Sequence, residues 1–364
     1  MKKLQLVLIS ILLIVICTIA FIGCELSVLH LPPNSHTYVI HNPYDDIDWS
    51  TIEYHDGNFH THTVFSDGRI LPHDVIDAYQ ALGYSVLALT DHNTSHYQSW
   101  PSTLYPWNTL HTIAQETDNE SWQDRNPSIL DMIAVQGSEI SQNDDIGSLF
   151  NDFVGIGETE AEALGAIETR GGLSIFYHPG RYDRSDQWYV DMFLQFPSSL
   201  LGIEIYNQKD RYPEDRDRWD RILFLTMPER PVWGFGNDDM HSYSHLGWNR
   251  NVLLLPQLTE TAVFESLSSG EFFVFKPYLR MTMPDIRISN ITVSDHNITL
   301  DIEGEYNSIH WITYYSGTQE SEVIAVGTTF STVSLPEDST FVRAVLFSAN
   351  GMLYTQPFGM TVLD

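Results

Sequence analysis

Residues 55–68 read HDGNFHTHTVFSDG, and residues 84–93 read YSVLALTDHN. Their side chains that can bind a divalent metal as imidazole or carboxylate include His60, His62, Asp67, Asp91 and His92. The apolar runs beside them are typical of short buried strands, on which side chains two positions apart share a face. His60 and His62 are therefore expected to point the same way. The second strand brings Asp91 and His92 to its carboxyl end. Two strand ends that aim such groups at one point predict a metal site.

The chain has 364 residues, which is long enough for two domains or for a large barrel with an appendage. Its formal charge of −30 repels nucleic acid and anionic lipid head groups at long range. We therefore predict that duplex nucleic acid is not a partner. A small phosphorylated substrate remains compatible with this charge, because clustered divalent cations reverse the local potential.

The N-terminal segment predicts export. Residues 1–24 begin with MKK and continue as an almost unbroken apolar run, which is typical of a secretory signal or of a short membrane span. Phe-Ile-Gly-Cys at 21–24 is similar to a bacterial lipobox, with Phe21 where leucine is usual. We predict an exported protein that is anchored to the cell membrane by a lipid on Cys24 or by an uncleaved N-terminal helix. Release as a soluble secreted protein is the alternative.

The only other cysteine, Cys17, lies in the same segment, so the remainder of the chain has neither a disulfide nor a thiolate metal ligand. Residues 25–51 are polar and contain prolines, and we interpret them as a tether. From residue 52 to about 280, apolar strand-like runs alternate with helical periodicity. Polar residues follow successive strands, which indicates a parallel barrel or a doubly wound sheet with its chemistry at the carboxyl ends of the strands.

From residue 284 the pattern changes to short alternating segments separated by Asn, Gly, Pro and Asp. Residues 284–364 are therefore predicted to form a small all-β domain, a β-sandwich. Such a domain either packs over the catalytic part or serves in adhesion.

The order of the ligand-type residues is more informative than any single motif. Eight of them fall at the end of a predicted strand or in the following loop, namely His60, His62, Asp67, His92, Glu139, His178, Asp239 and His241. This order resembles that of the PHP family, named for polymerase and histidinol phosphatase domains. The segments that carry the resemblance are FHTHTVFSDG at 59–68, LTDHN at 89–93, GSEIS at 137–141, FYHPG at 176–180, IEIYN at 203–207 and NDDMH at 237–241.

The resemblance implies a distorted (β/α)7 TIM-like barrel over residues 52–280, with phosphoesterase activity. It also implies two or three divalent metals, Zn²⁺, Mn²⁺ or Fe²⁺, at the C-terminal face of the barrel. By motif position, one metal would be held by His60, His62, Glu139 and Asp239. Glu139 would bridge to a second metal held by His178, and a third metal would be held by Asp67, His92 and His241.

The sequence departs from the family at one point. Several members supply a further His or Cys to the second metal, but neither residue type occurs between His178 and His241. Glu204 or Asn207 would substitute, or that metal would be weakly held or absent. For Glu204 we favour a role in supporting a ligand from behind. Asp91 is expected either to orient the ring of His92 or to cap its strand.

Mixed imidazole and carboxylate ligands suit Zn, Mn and Fe. Two such ions about 3.5–4 Å apart lower the pKa of a bridging water to about 7, so we expect a metal-bridged hydroxide to attack phosphorus without a side-chain nucleophile. Arg181 and Arg250 are candidate substrate contacts, because guanidinium groups bind phosphate through two hydrogen bonds. Surface ion pairing is the alternative for both arginines.

Two other functions stay open. An amidohydrolase-type enzyme would use the same metals on a C–N or carboxyl ester bond, because related barrels host amidohydrolases. A non-enzymatic surface lipoprotein would bind metal without turnover. The sequence has no GxSxG motif, no P-loop and no complete GxGxxG motif, which argues against a serine hydrolase and a dinucleotide-binding enzyme.

Overall fold

The computed structural model describes residues 28–93, 107, 125–141, 144–155 and 159–363. The predicted signal or anchor at 1–24 lies outside the described residues. Within the described ranges, none of the helices is both long enough and apolar enough to cross a membrane.

The described residues form a mixed α/β structure with three sheets. The strands are β1 (Thr37–His41), β2 (Glu53–Asn58), β3 (Tyr84–Ala88), β4 (Ile133–Val135), β5 (Gly137–Ile140), β6 (Ile146–Leu149), β7 (Leu173–Phe176), β8 (Leu200–Asn207), β9 (Trp233–Asn237), β10 (Arg250–Leu255), β11 (Phe272–Pro277), β12 (Ile286–Ser294), β13 (Asn297–Gly304), β14 (Tyr306–Tyr315), β15 (Glu320–Val326), β16 (Thr329–Ser331), β17 (Phe341–Ser348), β18 (Gly351–Tyr354) and β19 (Phe358–Leu363). The helices are α1 (Pro72–Ala81), α2 (Glu160–Thr169), α3 (Asp186–Gln195), α4 (Glu214–Thr226) and α5 (Glu260–Ser269).

Between residues 52 and 280 the described residues form a mixture of strands and helices. The predicted alternation holds in part, because β4, β5 and β6 follow one another and β9 is followed by β10 without a helix between them. Local sequence sets several helix starts, because Thr159, Ser185 and Thr259 each accept a hydrogen bond from a backbone N–H of the first helical turn. Gly270 ends α5 with a φ of 76°, a conformation that favours glycine. These helix ends can therefore be predicted from the local sequence, without knowledge of the tertiary contacts.

Two of the sheets carry the ligand-type residues at their strand ends. One runs in the order β1-β19-β17-β18-β11-β10-β2-β3-β4, with β14 and β15 attached at β17, and the other runs β5-β6-β7-β8-β9. Neighbours in β2-β3-β4 and in β7-β8-β9 are parallel. In contrast, β6 is antiparallel to both β5 and β7. The carboxyl ends of the parallel strands therefore lie on one side of the molecule.

The barrel implied by the resemblance is not confirmed, because neither sheet closes on itself among the described residues. At one junction, the side chain of Asn251 in β10 joins β9 in place of a backbone ladder. Its Oδ1 accepts from the N–H of Gly236 at 3.0 Å, and its Nδ2 donates to the Gly236 carbonyl at 2.9 Å. At the other junction, Gln136 separates β4 from β5, where the chain passes from one sheet to the other.

Part of the stretch that we interpreted as a tether belongs to the folded protein. Thr37–His41 pairs along its whole length with β19, and Tyr44 is buried against Phe273 and Phe358. The Tyr44 hydroxyl also accepts the backbone N–H of Gln356 at 2.7 Å. Upstream of this strand, the N–H groups of Leu29 and Asn34 donate to the carbonyls of Val323 and Val333. The interpretation of residues 25–51 as a tether therefore needs correction from residue 29 onward. Its polar composition gave no sign of this edge pairing, which depends on the distant C-terminal strand.

From residue 286 the described chain forms strands and one 3₁₀ turn, as the alternating pattern predicts. These strands continue the large sheet, because β18 pairs with β11. A separate sheet, β12-β13-β16, packs against it through a shared apolar core that includes Ile288, Trp311 and Phe330. The C-terminal strands are thus joined to the site-bearing part by a backbone ladder.

A buried ion pair fastens α4 to these strands. Arg343 in β17 donates from Nε and Nη2 to the two carboxylate oxygens of Asp220, both at 2.7 Å. The Ser321 hydroxyl donates to the same carboxylate at 2.6 Å. Both charged side chains are almost fully buried, so each depends on the other for its compensation.

We expect Asp220→Ala to lower the free energy of unfolding by about 3–5 kcal/mol, because it leaves the Arg343 guanidinium buried without its partner. Chemical denaturation followed by circular dichroism measures the change. Glu303→Ala is the matched control, since it removes the exposed partner of Arg287 and should have little effect. Equal effects of the two substitutions would contradict this interpretation.

Candidate metal centre

The loop after β2 carries His60 and His62 into the protein interior. The His62 N–H donates to the Met240 carbonyl at 2.9 Å, and the Thr61 N–H donates to the Thr90 hydroxyl at 2.9 Å. These bonds fix the loop between β3 and the segment after β9. Both imidazoles are buried, and their Nε2 atoms approach to 3.1 Å. The two rings therefore face one point, as the spacing of two predicts.

A first donor group surrounds this point, and it consists of His60, His62, Glu139 and Asp239. Glu139 Oε2 lies 3.4 Å and 3.1 Å from the two Nε2 atoms, and Asp239 Oδ1 lies 3.3 Å and 3.2 Å from them. Atoms that share one ion at about 2.0–2.2 Å stand about 3–3.5 Å apart. The measured separations match a shared cation.

A second donor group lies on the more open side of the first. Asp67 reaches His92 Nε2 at 3.4 Å, His241 Nε2 at 3.1 Å and His62 Nδ1 at 3.5 Å. His62 thus contacts both groups through its two ring nitrogens. The side chain of Asp67 is 34% exposed, so this group is reachable from solvent.

A third donor group forms around His178. Its Nε2 lies 3.5 Å from Glu139 Oε1 and 3.7 Å from Asp145 Oδ2. Two ligand-type residues have an unusual backbone, with φ of 31° at His178 and 43° at Asp239. Non-glycine residues adopt this region at a cost, so the surrounding structure must hold both positions.

Glu139 is common to the first and third groups, and it provides the test of whether these residues fit a metal. Its carboxylate is buried, and no donor among the described residues makes a hydrogen bond of normal geometry to either oxygen. An anionic oxygen in that environment requires positive charge beside it. The imidazole and carboxylate donors, without sulfur, match Zn²⁺, Mn²⁺ and Fe²⁺. The residues therefore fit divalent cations.

Glu204 supports the site from behind. Its Oε1 accepts from His60 Nδ1 at 2.8 Å, and its Oε2 accepts from the His178 N–H at 2.9 Å. The amides of Asn207 and Asn237 donate to the same carboxylate, each at 3.0 Å. Because Glu204 occupies Nδ1 of His60, the Nε2 atom of that ring is left for the first donor group.

Asp91 organises the loop of His62 and Asp67. Its carboxylate accepts from the Thr63 N–H at 2.7 Å, from the Thr63 hydroxyl at 2.8 Å and from the Ser66 hydroxyl at 2.7 Å. His92 Nδ1 instead lies 2.6 Å from the Ser141 hydroxyl. Asp91 therefore ties two loops together, in place of the expected bond to the neighbouring ring.

The charged neighbours within the three donor groups oppose the effect of burial on the pKa of His60, of His62 and of Glu139. Burial lowers the pKa of His60, but Glu204, Asp239 and Glu139 together raise that pKa well above its usual value. Burial likewise lowers the pKa of His62, but the neighbouring carboxylates of Asp239 and Glu139 outweigh this effect and raise the pKa to about 10. Burial raises the pKa of Glu139, yet His60 and the other imidazoles hold it well below its ordinary range.

A cavity of about 430 Å³ opens over the three groups. Two arginines line it, and the side chain of each is 51% exposed. Arg181, which the sequence predicts as a substrate contact, donates from Nη1 to Asp145 Oδ2 at 3.0 Å. Arg211 Nη1 lies 4.0 Å from Asp239 Oδ2. Each arginine thus borders a carboxylate of the site and faces the cavity.

Arg250, the other predicted substrate contact, lies elsewhere. Its side chain is fully buried, bonds to Asp56 and donates to the Leu82 carbonyl at 3.1 Å. Its guanidinium also covers the ring of Tyr84. Arg250 does not line the cavity, so it cannot contact a substrate there. The prediction fails because the polar GWNRN stretch enters a buried strand whose counter-ion comes from β2.

Three residues near the site were missed from the sequence: Asp145, Gln208 and Arg211. Gln208 donates from Nε2 to Asp239 Oδ2 at 3.1 Å and so orients that carboxylate. Asp145 reaches the site because β5 and β6 form an antiparallel pair that returns the chain to it. The turn residues between the two apolar strands in GSEISQNDDIGSL are the only signal that could have indicated this hairpin.

No family model matches the chain. An uncharacterized protein of Methanocaldococcus jannaschii is 35% identical over 85 residues, which are 23% of this chain and 33% of that protein. The match thus spans about a third of the length of this relative.

Among solved structures, a two-domain protein from Bacteroides vulgatus containing a predicted PHP-like metal-dependent phosphoesterase is similar, with a TM-score of 0.52 at 14% identity. The likeness covers 94% of this chain and 92% of that one, and it establishes a common fold. The lesion-specific endonuclease EndoQ from Pyrococcus furiosus gives a TM-score of 0.40 at 10% identity, over 59% of this chain and 56% of its own. Membership of the PHP family stays a prediction from the motifs.

Metal binding near pH 7 should release protons, because a protonated imidazole must lose its proton before that nitrogen can bind an ion. Against the effect of burial, the neighbouring carboxylates raise the pKa of His60 and of His62. Protonated imidazole is therefore favoured at this pair in the metal-free protein, and apparent metal affinity should rise with pH. Titration calorimetry with Zn²⁺ in buffers of different ionisation enthalpy counts the protons. His62→Gln should release about one proton fewer, and metal binding without any proton release would contradict the proposed ligands.

Proposed function

We propose that this chain is a metal-dependent hydrolase that cleaves phosphate esters of small molecules. The observation that carries the proposal is the convergence of three imidazole–carboxylate groups and two arginines on one cavity of about 430 Å³. Divalent metals suit the donor groups, and guanidinium groups suit phosphate. The common fold with a protein containing a predicted PHP-like phosphoesterase supports the same chemistry.

The ligand-type residues would hold separate ions according to their positions in the site. His60, His62, Glu139 and Asp239 would hold one ion, Asp67, His92 and His241 would hold another, and His178 with Glu139 would hold a further one. Such ions supply Lewis-acid stabilisation of phosphoryl oxygens and a nucleophile at neutral pH. No serine, cysteine or threonine nucleophile is required, and Glu204 and Asp91 would keep the ligand loops in place throughout the reaction.

The arginines would bind the substrate. Arg181 and Arg211 border the cavity next to Asp145 and Asp239, so a phosphate held by the ions would lie within their reach. Their guanidinium groups would contact non-bridging oxygens and offset part of the repulsion from this acidic chain. The cavity volume fits a small phosphorylated molecule rather than a polymer.

We also infer export and attachment to the cell membrane through residues 1–24, on the strength of the signal-like sequence alone. Division at about residue 284 into a hydrolase part and a C-terminal β part follows from the change in sequence pattern. The continuous ladder from β11 to β18 would hold the two parts together.

The enzyme should hydrolyse a generic aryl phosphate when loaded with Mn²⁺ or Zn²⁺ and lose activity on treatment with a chelator. His60→Ala and Asp239→Ala should each lower kcat/KM by at least about 10³-fold, because each removes a ligand of the first donor group. His36→Ala and Asp295→Ala are matched controls at exposed positions and should keep full activity.

Circular dichroism would establish that all four variants are folded. Full activity of the two site variants would refute the proposal. Activity confined to amides or carboxyl esters in a parallel substrate panel would replace phosphate ester cleavage with an amidohydrolase-type reaction.

Arg211→Gln should raise KM for the aryl phosphate by about tenfold and change kcat much less, because the guanidinium acts mainly in binding. Steady-state kinetics on the metal-loaded enzyme separates the two constants. Arg287→Gln, which alters an exposed arginine of β12, is the control. A KM equal to that of the unmodified enzyme would remove Arg211 from the substrate site.

A further inference from the structure

The donor group around His178 differs in composition from the other two. It offers one imidazole and two carboxylates, from His178, Glu139 and Asp145, and His178 also lies within reach of His60 and Asp239 of the first group. The first group contains two imidazoles and the second contains three. All three members of the His178 group are more than nine-tenths buried. Several members of the PHP family, which this chain resembles, supply a further His or Cys to the corresponding metal, and this chain has neither between His178 and His241.

Glu139 gives a second indication that this position takes a cation. Its Oε1 faces His178 at 3.5 Å, whereas its Oε2 faces the two histidines of the first group at 3.4 Å and 3.1 Å. Neither oxygen accepts a hydrogen bond of normal geometry from the described residues. One buried oxygen of Glu139 therefore faces each of two separate groups, without a hydrogen bond that satisfies it.

Asp145 is held in place for the same role. Its backbone carbonyl accepts from the Tyr177 N–H at 2.9 Å, which ties the start of β6 to the end of β7. Its Oδ2 atom, which lies 3.7 Å from His178 Nε2, accepts hydrogen bonds from Arg181 and from the Tyr182 hydroxyl, and these bonds fix the direction of the carboxylate. Its neighbour Asp144 is anchored in the opposite direction, to Arg184 at 2.7 Å.

We infer that Asp145 supplies the missing ligand beside His178 and that this position prefers a harder cation, Mn²⁺ or Mg²⁺, than the two histidine-rich positions do. Carboxylate oxygens suit Mg and Mn, while imidazole nitrogens suit Zn, Cu and Fe. One chain would thus hold two kinds of metal position that share the Glu139 carboxylate. The inference rests on the proposed binding of divalent metals but not on hydrolysis.

The arrangement also links this metal position to the substrate. Arg181 shares the Asp145 carboxylate, and its guanidinium lines the cavity. A cation beside Asp145 would neutralise that carboxylate and weaken its hold on Arg181. The guanidinium would then be free to bind an anion in the cavity, so metal and phosphate would favour each other's binding.

The test uses the full chain, stripped of metal with a chelator and titrated with Mn²⁺ alone. Electron paramagnetic resonance of free Mn²⁺ counts the bound equivalents without any substrate. Asp145→Asn should weaken one equivalent by at least about tenfold and leave the others unchanged. Asp145→His should restore that equivalent and shift its preference toward Zn²⁺ over Mn²⁺ by at least about tenfold, measured in competition titrations.

Asp152→Asn, an exposed carboxylate paired with Arg170, is the matched control and should bind Mn²⁺ like the unmodified chain. Unchanged manganese binding in Asp145→Asn would overturn the inference, and so would an unchanged metal preference in Asp145→His. The histidine variant retains a ligand at this position, so it decides the question even where the asparagine variant does not fold. A chain that shows this manganese pattern but cleaves no phosphate ester would refute the proposed function and leave the metal assignment standing.

Discussion

The burial of one carboxylate, that of Glu139, is the constraint on which the rest of this structure depends. Imidazoles from His60, His62, His92 and His178 approach its oxygens to within 3.1–3.5 Å. They come from loops after three different strands, so the carboxylate can be compensated only when those strands are assembled. A buried anion without a compensating charge costs several kcal/mol of folding free energy. The compensating charge can be a proton on a histidine or a metal ion. Folding and site assembly are therefore one event at this point.

The polar side chains around the site divide into two classes by the direction in which they point. Asp238 and Asp239 are adjacent, yet Asp239 faces the histidines while Asp238 faces away. Asp238 accepts the N–H groups of Gly247, Trp248 and Asn249 at 2.6–2.9 Å. Together with Glu204 and Asp91, it fixes loops that carry ligands. Some buried carboxylates thus face the candidate metal centre, and others anchor irregular backbone.

The sequence was sufficient to predict the strands and helices over 52–280 and to select the ligand-type residues that the structure brings together. The reason is local, since strand ends and helix caps are marked within a few residues of each element. The contacts that the sequence did not predict depend on pairing between residues that are far apart in the chain. Asp145 reaches the site through an antiparallel return, β1 joins a strand some 320 positions away, and Arg250 is buried by a counter-ion from another strand. None of these contacts leaves a periodic trace in the chain.

The left-handed backbone at His178 and Asp239 bears on how the site responds when the supply of metal ions changes. Each such conformation costs about 1–3 kcal/mol, so it persists only where the surrounding contacts hold it in place. Here those contacts come from Glu204 and Gln208, which are protein groups and not the ion. An emptied centre should therefore keep its shape. Ions can then be exchanged as on a rigid chelator, without unfolding and refolding of the loops around them.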